Sequence, residues 1–406
     1  MCPAKKSSGY EKNYAVKTAF CANLRRLHRA FPLCYPKKTS PLLSRNPMDN
    51  IIVGMSGGVD SSVAAHSLLE AGHKVTGLFM KNWEEDDDAE YCAAAEDLAD
   101  AEEVCRQLEI PLRTINFSHE YWTRVFKVFL DEYRNGRTPN PDVVCNKEIK
   151  FKEFLDWALR LGADYIATGH YARRDADADN GGRRFVLRKG CDDEKDQSYF
   201  LHTLGQDALR RCAFPVGAMQ KSQVRARARE LGLPTHDKKD STGICFIGER
   251  RFADFLARFL PERAGKIKTP EGEVVGEHRG ACYYTIGQRR GLGIGGGGDA
   301  WYVAGKDIAS NTVYAVQGHE HPALLARAVI AEDLHWIGGA PPPLPAKCAA
   351  KTRYRQPDQD CVISMLGPDF SRIEFERPQW AVAPGQSVVF YRGDICIGGG
   401  VIRAAE

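Results

Sequence analysis

Apolar and polar positions alternate along this chain in two different rhythms. From Asp49 onward, the run Ile51-Ile52-Val53 predicts a buried strand. A Ser/Gly loop follows, and then a helical stretch with Val63, Ala64, Leu68 and Leu69 turned inward. Lys74 to Met80 predicts a second strand, Asp97 to Leu108 a helix and Leu112 to Phe117 a third strand. Trp122, Val125, Phe126, Phe129, Leu130 and Tyr133 share one helical face, and Phe151, Phe154, Leu155 and Ala158 share another, ahead of a strand at Tyr165-Ile166-Ala167-Thr168. Four strand-helix alternations imply an α/β fold with a doubly wound parallel sheet.

After about residue 250 the rhythm shortens. Ala281 to Ile286, Trp301 to Ala304, Thr312 to Val316, Cys361 to Met365, Arg372 to Phe375 and Ser387 to Tyr391 read as short strands between Gly and Pro. Six glycines in the eight residues Gly291 to Gly298 predict a mobile loop between Tyr284 and Trp301. Pro341-Pro342-Pro343 and Pro345 predict a linker into a last β module. The expected organisation is a basic, disordered extension over 1–47, a catalytic α/β domain over 48–250, a central β-rich domain over 251–325 and a β-barrel-like domain over 326–406.

Composition narrows this picture. A 43% hydrophobic content over 406 residues supports several globular cores. No apolar run reaches the roughly 18 residues of a membrane span, so no membrane partner is expected. The net charge of +3 conceals +9 on residues 1–47 against −6 on the remainder, so a polyanion would have to meet local basic patches rather than a global field. Lys221, Arg225 and Arg229 at i, i+4 spacing, with Arg227, Lys238 and Lys239, offer such a patch or a solvated helix face. Residues 1–47 set Phe20, Leu24, Leu27 and Phe31 on one helical face among arginines, which suits either an upstream tail before a natural start at Met48 or a mitochondrial transit peptide. The 13 cysteines are odd in number and include no C-x-x-C, which favours a reducing, cytoplasmic setting over a disulfide framework or a four-thiolate metal site. No resident metal site is expected, and Cys105, among Leu98, Ala101, Val104 and Leu108, is expected to be an inert core thiol.

The chemistry begins at Ser56-Gly57-Gly58-Val59-Asp60-Ser61-Ser62, between the first strand and the first helix. Glycines let backbone N–H groups approach an anion, hydroxyls add donors and the helix N-terminus adds partial positive charge. The Gly-Lys-Ser/Thr ending of a Walker A loop is missing. This heptad resembles the pyrophosphate loop (PP-loop) of the N-type ATP pyrophosphatases, which adenylate a carbonyl oxygen. The resemblance implies ATP and Mg²⁺, with Gly54 to Ser62 as the nucleotide loop (Gly54, Met55, Ser56, Gly57, Gly58, Val59, Asp60, Ser61, Ser62) and adenine near Met80 and Gly169.

Two cysteines lie in loops with chemical character. Cys145 closes Arg137-Thr138-Pro139-Asn140-Pro141-Asp142-Val143-Val144-Cys145-Asn146-Lys147, where a helix N-terminus and Lys147 favour thiolate. Cys245 sits in the glycine-flanked Asp240-Ser241-Thr242-Gly243-Ile244-Cys245-Phe246-Ile247-Gly248. Taken singly, each reads equally well as a buried structural cysteine. Together with F-M-K-N-W, A-T-G-H-Y, K-D-Q-S-Y-F, T-x-G-Q-R, K-T-R-Y-R-Q and P-G-Q, in order from about Ile51 to the C-terminus, they resemble the tRNA-specific 2-thiouridylase family of the MnmA type. The resemblance implies 2-thiolation of the wobble uridine in tRNAs for Lys, Glu and Gln. Cys245 would carry a persulfide, Cys145 would resolve it to a disulfide, and Asp142 would serve as a base. It also implies tRNA contacts at Asn140, Pro141, Asp142, His170, Lys195, Asp196, Gln197, Arg353, Tyr354 and Gln386, and a persulfide carrier or cysteine desulfurase relay protein as partner, with a monomer favoured. A flipped base needs such a polar pocket. Other readings are a PP-loop synthetase using ammonia, which leaves two loop cysteines idle, and a non-catalytic RNA-binding protein, which leaves the phosphate loop idle. Asp142, Cys145 and Cys245 as three ligands of an iron–sulfur cluster is a further alternative, less favoured than persulfide chemistry.

Overall fold

A computed structural model describes residues 48–84, 93–177, 184–240, 252–365, 367 and 369–406. Strand β1 (Asn50–Met55) pairs in parallel with β2 (Lys74–Lys81) on one side and β4 (Tyr165–Ala167) on the other. With β3 (Leu112–Asn116) and β7 (Cys212–Ala213) they form a five-stranded sheet of order β3-β2-β1-β4-β7, every pairing parallel. Side chains alternate across the sheet. Ile51, Val53 and Met55 pack with α1 (Val59–Glu70), α2 (Ala93–Gln107) and α5 (Lys221–Glu230), and Cys105 is buried in this cluster, as its periodicity predicts. Burial raises that thiol's pKa to about 11, which keeps it a core residue.

Ile52 faces the other way, onto α3 (Ser118–Tyr121, a π-helical turn at Trp122–Phe126, then Lys127–Arg134) and α4 (Pro141–Cys145, a second π-helical stretch at Asn146–Glu153, then Phe154–Arg160). Helices on both faces make the sheet doubly wound, as the alternation predicts. The chain runs β1 to β2 to β3 in one direction and then returns to the far side of β1 as β4. The carboxyl end of β1 is therefore the switch point where such sheets bind ligands.

The later strands form two further sheets. One has the order β10-β11-β8-β9, from β8 (Gly265–Lys268), β9 (Val274–His278), β10 (Trp301–Asp307) and β11 (Thr312–Gln317). The other has eight strands: β12 (Leu325–Trp336), β13 (Ala346–Lys351), β14 (Gln359–Met365), β15 (Ser371–Trp380), β16 (Ser387–Arg392) and β17 (Ile395–Ala405), joined by β5 (Ala172–Ala176) and β6 (Phe185–Lys189). β12 pairs with both β15 and β17, closing its six C-terminal strands into a barrel. The hairpin β5–β6 extends this sheet through β17, by pairings Ile395↔Arg188 and Cys396↔Leu187.

Two expectations are corrected. Ala281 to Ile286 is not a strand: Gly280, at φ +153°, starts a 3₁₀ turn over Ala281–Tyr283, and the Tyr283 hydroxyl donates to the Leu260 carbonyl. The proline run does not link two modules, because it connects β12 to β13 inside the eight-stranded sheet. Within the glycine-rich loop, Leu292 is buried and Ile294 packs on the same core.

Candidate active site

Helix α1 starts on Gly58, whose extended backbone (φ −102°, ψ 162°) is capped by no side chain, so its first-turn N–H groups face the carboxyl edge of the sheet. The hydroxyls fold back onto the loop. Ser61 Oγ donates to the Gly58 carbonyl at 3.0 Å and accepts from the Ser56 amide at 3.2 Å, while Ser62 Oγ donates to Gly58 at 2.9 Å. Thr235 holds Ser62 from outside at 3.1 Å. Gly57 sits at φ +68°, and a Cβ there would lie 2.4 Å from the Asp97 carbonyl oxygen. A Cβ on Gly169 would lie 2.8 Å from the Ser61 nitrogen, so both glycines permit a close backbone approach. Met80, at the end of β2, lies beside Gly54, where a Cβ would meet its Cε at 3.5 Å.

Charge converges on the same loop from three distant segments. Lys221 Nζ lies 2.8 Å from both Asp60 oxygens and 2.8 Å from Asp240, and the Tyr171 hydroxyl donates to Asp60 at 2.7 Å. Asp240 also accepts from Lys195 and Arg225, each at 2.7 Å. Burial alone would raise the Asp240 pKa, but Lys195 and Lys221 outweigh it and hold the carboxyl well below its ordinary range. Lys195 and Lys221 also border a cleft of about 530 Å³ that includes the exposed Cys191.

This network shows what the basic residues of the expected patch contact. Lys221 and Arg225 are engaged with Asp60 and Asp240, Arg227 with Glu70 and Glu230, Arg229 with Asp237, and Lys238 with Asp97 and Asp100. Tyr171, Lys221 and Asp240 gather at this loop, a placement that sequence reasoning did not assign, Lys221 figuring there only as part of the basic patch. The signal for two of them was the position of Tyr171 in A-T-G-H-Y and of Asp240 at the head of the Cys245 stretch.

From Lys195 the chain runs toward the first cysteine. Asp196 is buried and accepts from the Gly190 and Ser198 amides at 3.0 Å, and Gln197 accepts from the Tyr171 amide at 2.9 Å. The Phe200 carbonyl then accepts from Asn146 at 3.1 Å, next to Cys145, and the Tyr354 ring packs on Phe200 at 4.4 Å. Cys145 is 1% exposed at the end of the Pro141–Cys145 turn. That turn is capped by the Asn140 side chain, has Pro141 at its first position and carries Asp142 in its first turn. Lys147 points to Glu148 at 4.0 Å.

The loop before the turn is gripped by the barrel. Gln386 Nε2 donates to the Thr138 carbonyl at 2.8 Å, the Thr138 amide donates to the Pro384 carbonyl at 2.7 Å, and Arg137 is held between Glu132 and Glu332. His170 is buried, bonds Thr168 through Nδ1 at 2.7 Å, and is held neutral by burial and by nearby Lys150, with its pKa well below 6.5. Arg353 turns toward the Ile286 and Ala381 carbonyls and lies 5.3 Å over Trp380. Cys245 and its motif from Ser241 onward lie outside the described residues.

A glycine-rich loop at the switch point of a doubly wound parallel sheet, followed by β modules, defines an α/β protein with appended β domains. The tRNA methyl transferase HUP domain matches residues 49–249, the tRNA methyl transferase PRC-barrel domain 253–317 and the aminomethyltransferase beta-barrel domain 326–402. The tRNA-specific 2-thiouridylase MnmA of Methylococcus capsulatus is 59% identical over 360 residues, 87% of this chain and 96% of its own. That of Vibrio cholerae is 57% identical over 365 residues, covering 89% and 98%. Among solved structures, a 4-thiouridine synthetase in complex with RNA and bound ATP aligns over 50% of this chain and 46% of its own at 15% identity, with a TM-score of 0.31. The chain belongs to the tRNA-specific 2-thiouridylase (MnmA) family.

Proposed function

We propose that this protein is an ATP-dependent tRNA-uridine 2-sulfurtransferase. The observation that supports it most is the ion-pair network from Asp60 through Lys221 and Asp240 to Lys195, whose own chain segment leads to Phe200, the acceptor for Asn146 next to Cys145. In this reading the first-turn N–H groups of α1 and Lys221 receive the phosphates, and the uridine C2 oxygen attacks the α-phosphorus to release pyrophosphate. Among the described residues no group of three or more His, Cys, Asp or Glu is placed to hold a metal. Mg²⁺ would arrive on the phosphates, neutralising their charge, with Asp60 as the protein carboxylate beside it.

The target base would sit between the Asn140–Asp142 turn and His170, a neutral imidazole suited to hydrogen bonding rather than charge. A persulfide on Cys245, loaded by a carrier or desulfurase, attacks C2 through its outer sulfur and AMP leaves. Cys145 thiolate then attacks the inner sulfur, freeing the 2-thiouridine and forming a Cys145–Cys245 disulfide for an external thiol to reduce. Asp142 serves as the nearby base. Lys195, Asp196, Gln197, Arg353, Tyr354 and Gln386 act on the tRNA directly or by shaping this pocket.

Labelled persulfide transfer tests the reading. Cys245→Ser accepts no label and makes no thiouridine, while Cys145→Ser accepts label on Cys245 and stalls at release, because a serine hydroxyl cannot replace a thiolate in exchange. Label accumulating on Cys145 in Cys245→Ser would reverse the roles, and normal thiolation by both variants would sink the mechanism.

A further inference from the structure

Away from this site, Cys348 on β13 and Cys361 on β14 are direct cross-strand partners, with Sγ atoms 3.6 Å apart. Cys361 is 3% exposed in the barrel core, whereas Cys348 packs at its margin and is half-buried. Residues directly opposite in an antiparallel pair hold their Cβ atoms about 4.5–5.5 Å apart, close to the spacing of a disulfide. Bringing the sulfurs to about 2.05 Å therefore takes side-chain rotation and a slight strand approach rather than rearrangement. The two thiols are not equivalent. The side-chain contact with Cys361, helped by Arg392, holds Cys348 below the ordinary thiol range, and the same contact together with burial pushes Cys361 up. Cys348 is thus the readier thiolate, and it is the one nearer solvent.

The pair closes a hairpin. Its turn, residues 352–358, carries Arg353, Tyr354 and Arg355, and is braced by Thr352 to Gln356 at 2.7 Å.

We propose that Cys348 and Cys361 form a redox-active dithiol that a hydroperoxide converts to a cross-strand disulfide, clamping the hairpin that presents Arg353 and Tyr354. The Cys348 thiolate attacks the peroxide oxygen, giving a sulfenic acid and releasing hydroxide or alkoxide. The Cys361 thiol then displaces the sulfenic oxygen, which leaves as water once it takes up the thiol proton. Overall, two thiols and one hydroperoxide give one disulfide, water and the alcohol, or two waters when the oxidant is hydrogen peroxide.

The test uses the full chain, reduced, freed of reductant and titrated with hydrogen peroxide, followed by alkylation and non-reducing peptide mass spectrometry. The 348- and 361-bearing peptides should appear joined and lighter by two hydrogens. Cys361→Ser should instead leave Cys348 as a sulfenic acid captured by a 1,3-dione, and Cys348→Ser should give no adduct at Cys361. Amide exchange over residues 352–358 should slow several-fold in the oxidised protein. Both thiols remaining alkylatable at a peroxide dose that oxidises the exposed Cys191 would overturn the proposal, as would cross-links from either to another cysteine. Unchanged exchange with the disulfide formed would overturn the clamp.

Discussion

Lys221 is the side chain that ties the Ser56–Ser62 loop to Asp240. It stands 161 residues from Asp60 in sequence, yet its ammonium contacts both oxygens of that carboxylate and reaches Asp240 as well. Replacing it with Met keeps the length of the stem and removes the charge. Lys221→Met should slow pyrophosphate release by roughly 10²-fold, the order expected for one preorganised electrostatic group, with tRNA affinity unchanged in a filter-binding assay. Asp60→Ala should likewise abolish AMP formation and spare tRNA binding. Gly169→Ala tests a different cause, since its Cβ would lie 2.8 Å from the Ser61 nitrogen and push the phosphate loop outward. A displacement on the order of 1 Å predicts a rate loss of roughly 10²-fold, read as AMP formation at saturating tRNA.

Among the elements, the Pro384-Gly385-Gln386 turn of the barrel controls a loop in the α/β region. Gly385 lies at φ +92°, and a Cβ on it would sit 2.8 Å from the Thr138 nitrogen, where the amide bonds Pro384. Gly385→Ala should therefore disturb the Asn140–Cys145 turn and depress thiolation strongly, while ATP binding, measured by nucleotide titration, is retained. This grip was not legible in the sequence, because P-G-Q and R-T-P-N-P-D lie more than two hundred residues apart and share no local pattern. What was legible follows from periodicity. β1, α1, β2 and β3 appear where apolar spacing places them, since each buries a face defined by its own residues. The hairpin β5–β6 escaped notice because Ala172–Ala176, Ala-Arg-Arg-Asp-Ala, is mostly charged, and its pairing is set by a strand at the other end of the chain. Ala281 to Ile286 misled in the opposite sense: an apolar run marks burial, and burial alone does not separate a strand from a tight helical turn.

For the whole molecule, acid should be the sensitive direction. His66, His170, His202, His278 and His335 all have pKa values lowered by burial, His202 to about 4 from 6.5. A histidine kept neutral in the fold contributes stability that is fully present above about pH 6.5. It is lost as pH falls toward the folded value; for His202 that loss runs from about pH 6.5 down to about 4, at about 1.4 kcal/mol per pH unit once the unfolded chain is protonated. The Tm should fall steadily from pH 6.5 to 5, and His202→Gln should flatten that slope, as read by scanning calorimetry at matched ionic strength. The pairing of β6 with β17 has another consequence, for the order in which the chain is made. Strand β6 leaves the ribosome some two hundred residues before its partner exists. Until synthesis reaches Ile395, this edge has open N–H and C=O groups, a template for pairing with a neighbouring chain. Asp394, which accepts from Arg173 at 2.9 Å and Arg188 at 2.6 Å, latches the hairpin as the last strand arrives. A nascent chain stalled just short of Asp394 should aggregate or recruit chaperones, whereas one released after β17 should not, so the arrival of residues 394–405 decides when this edge is closed.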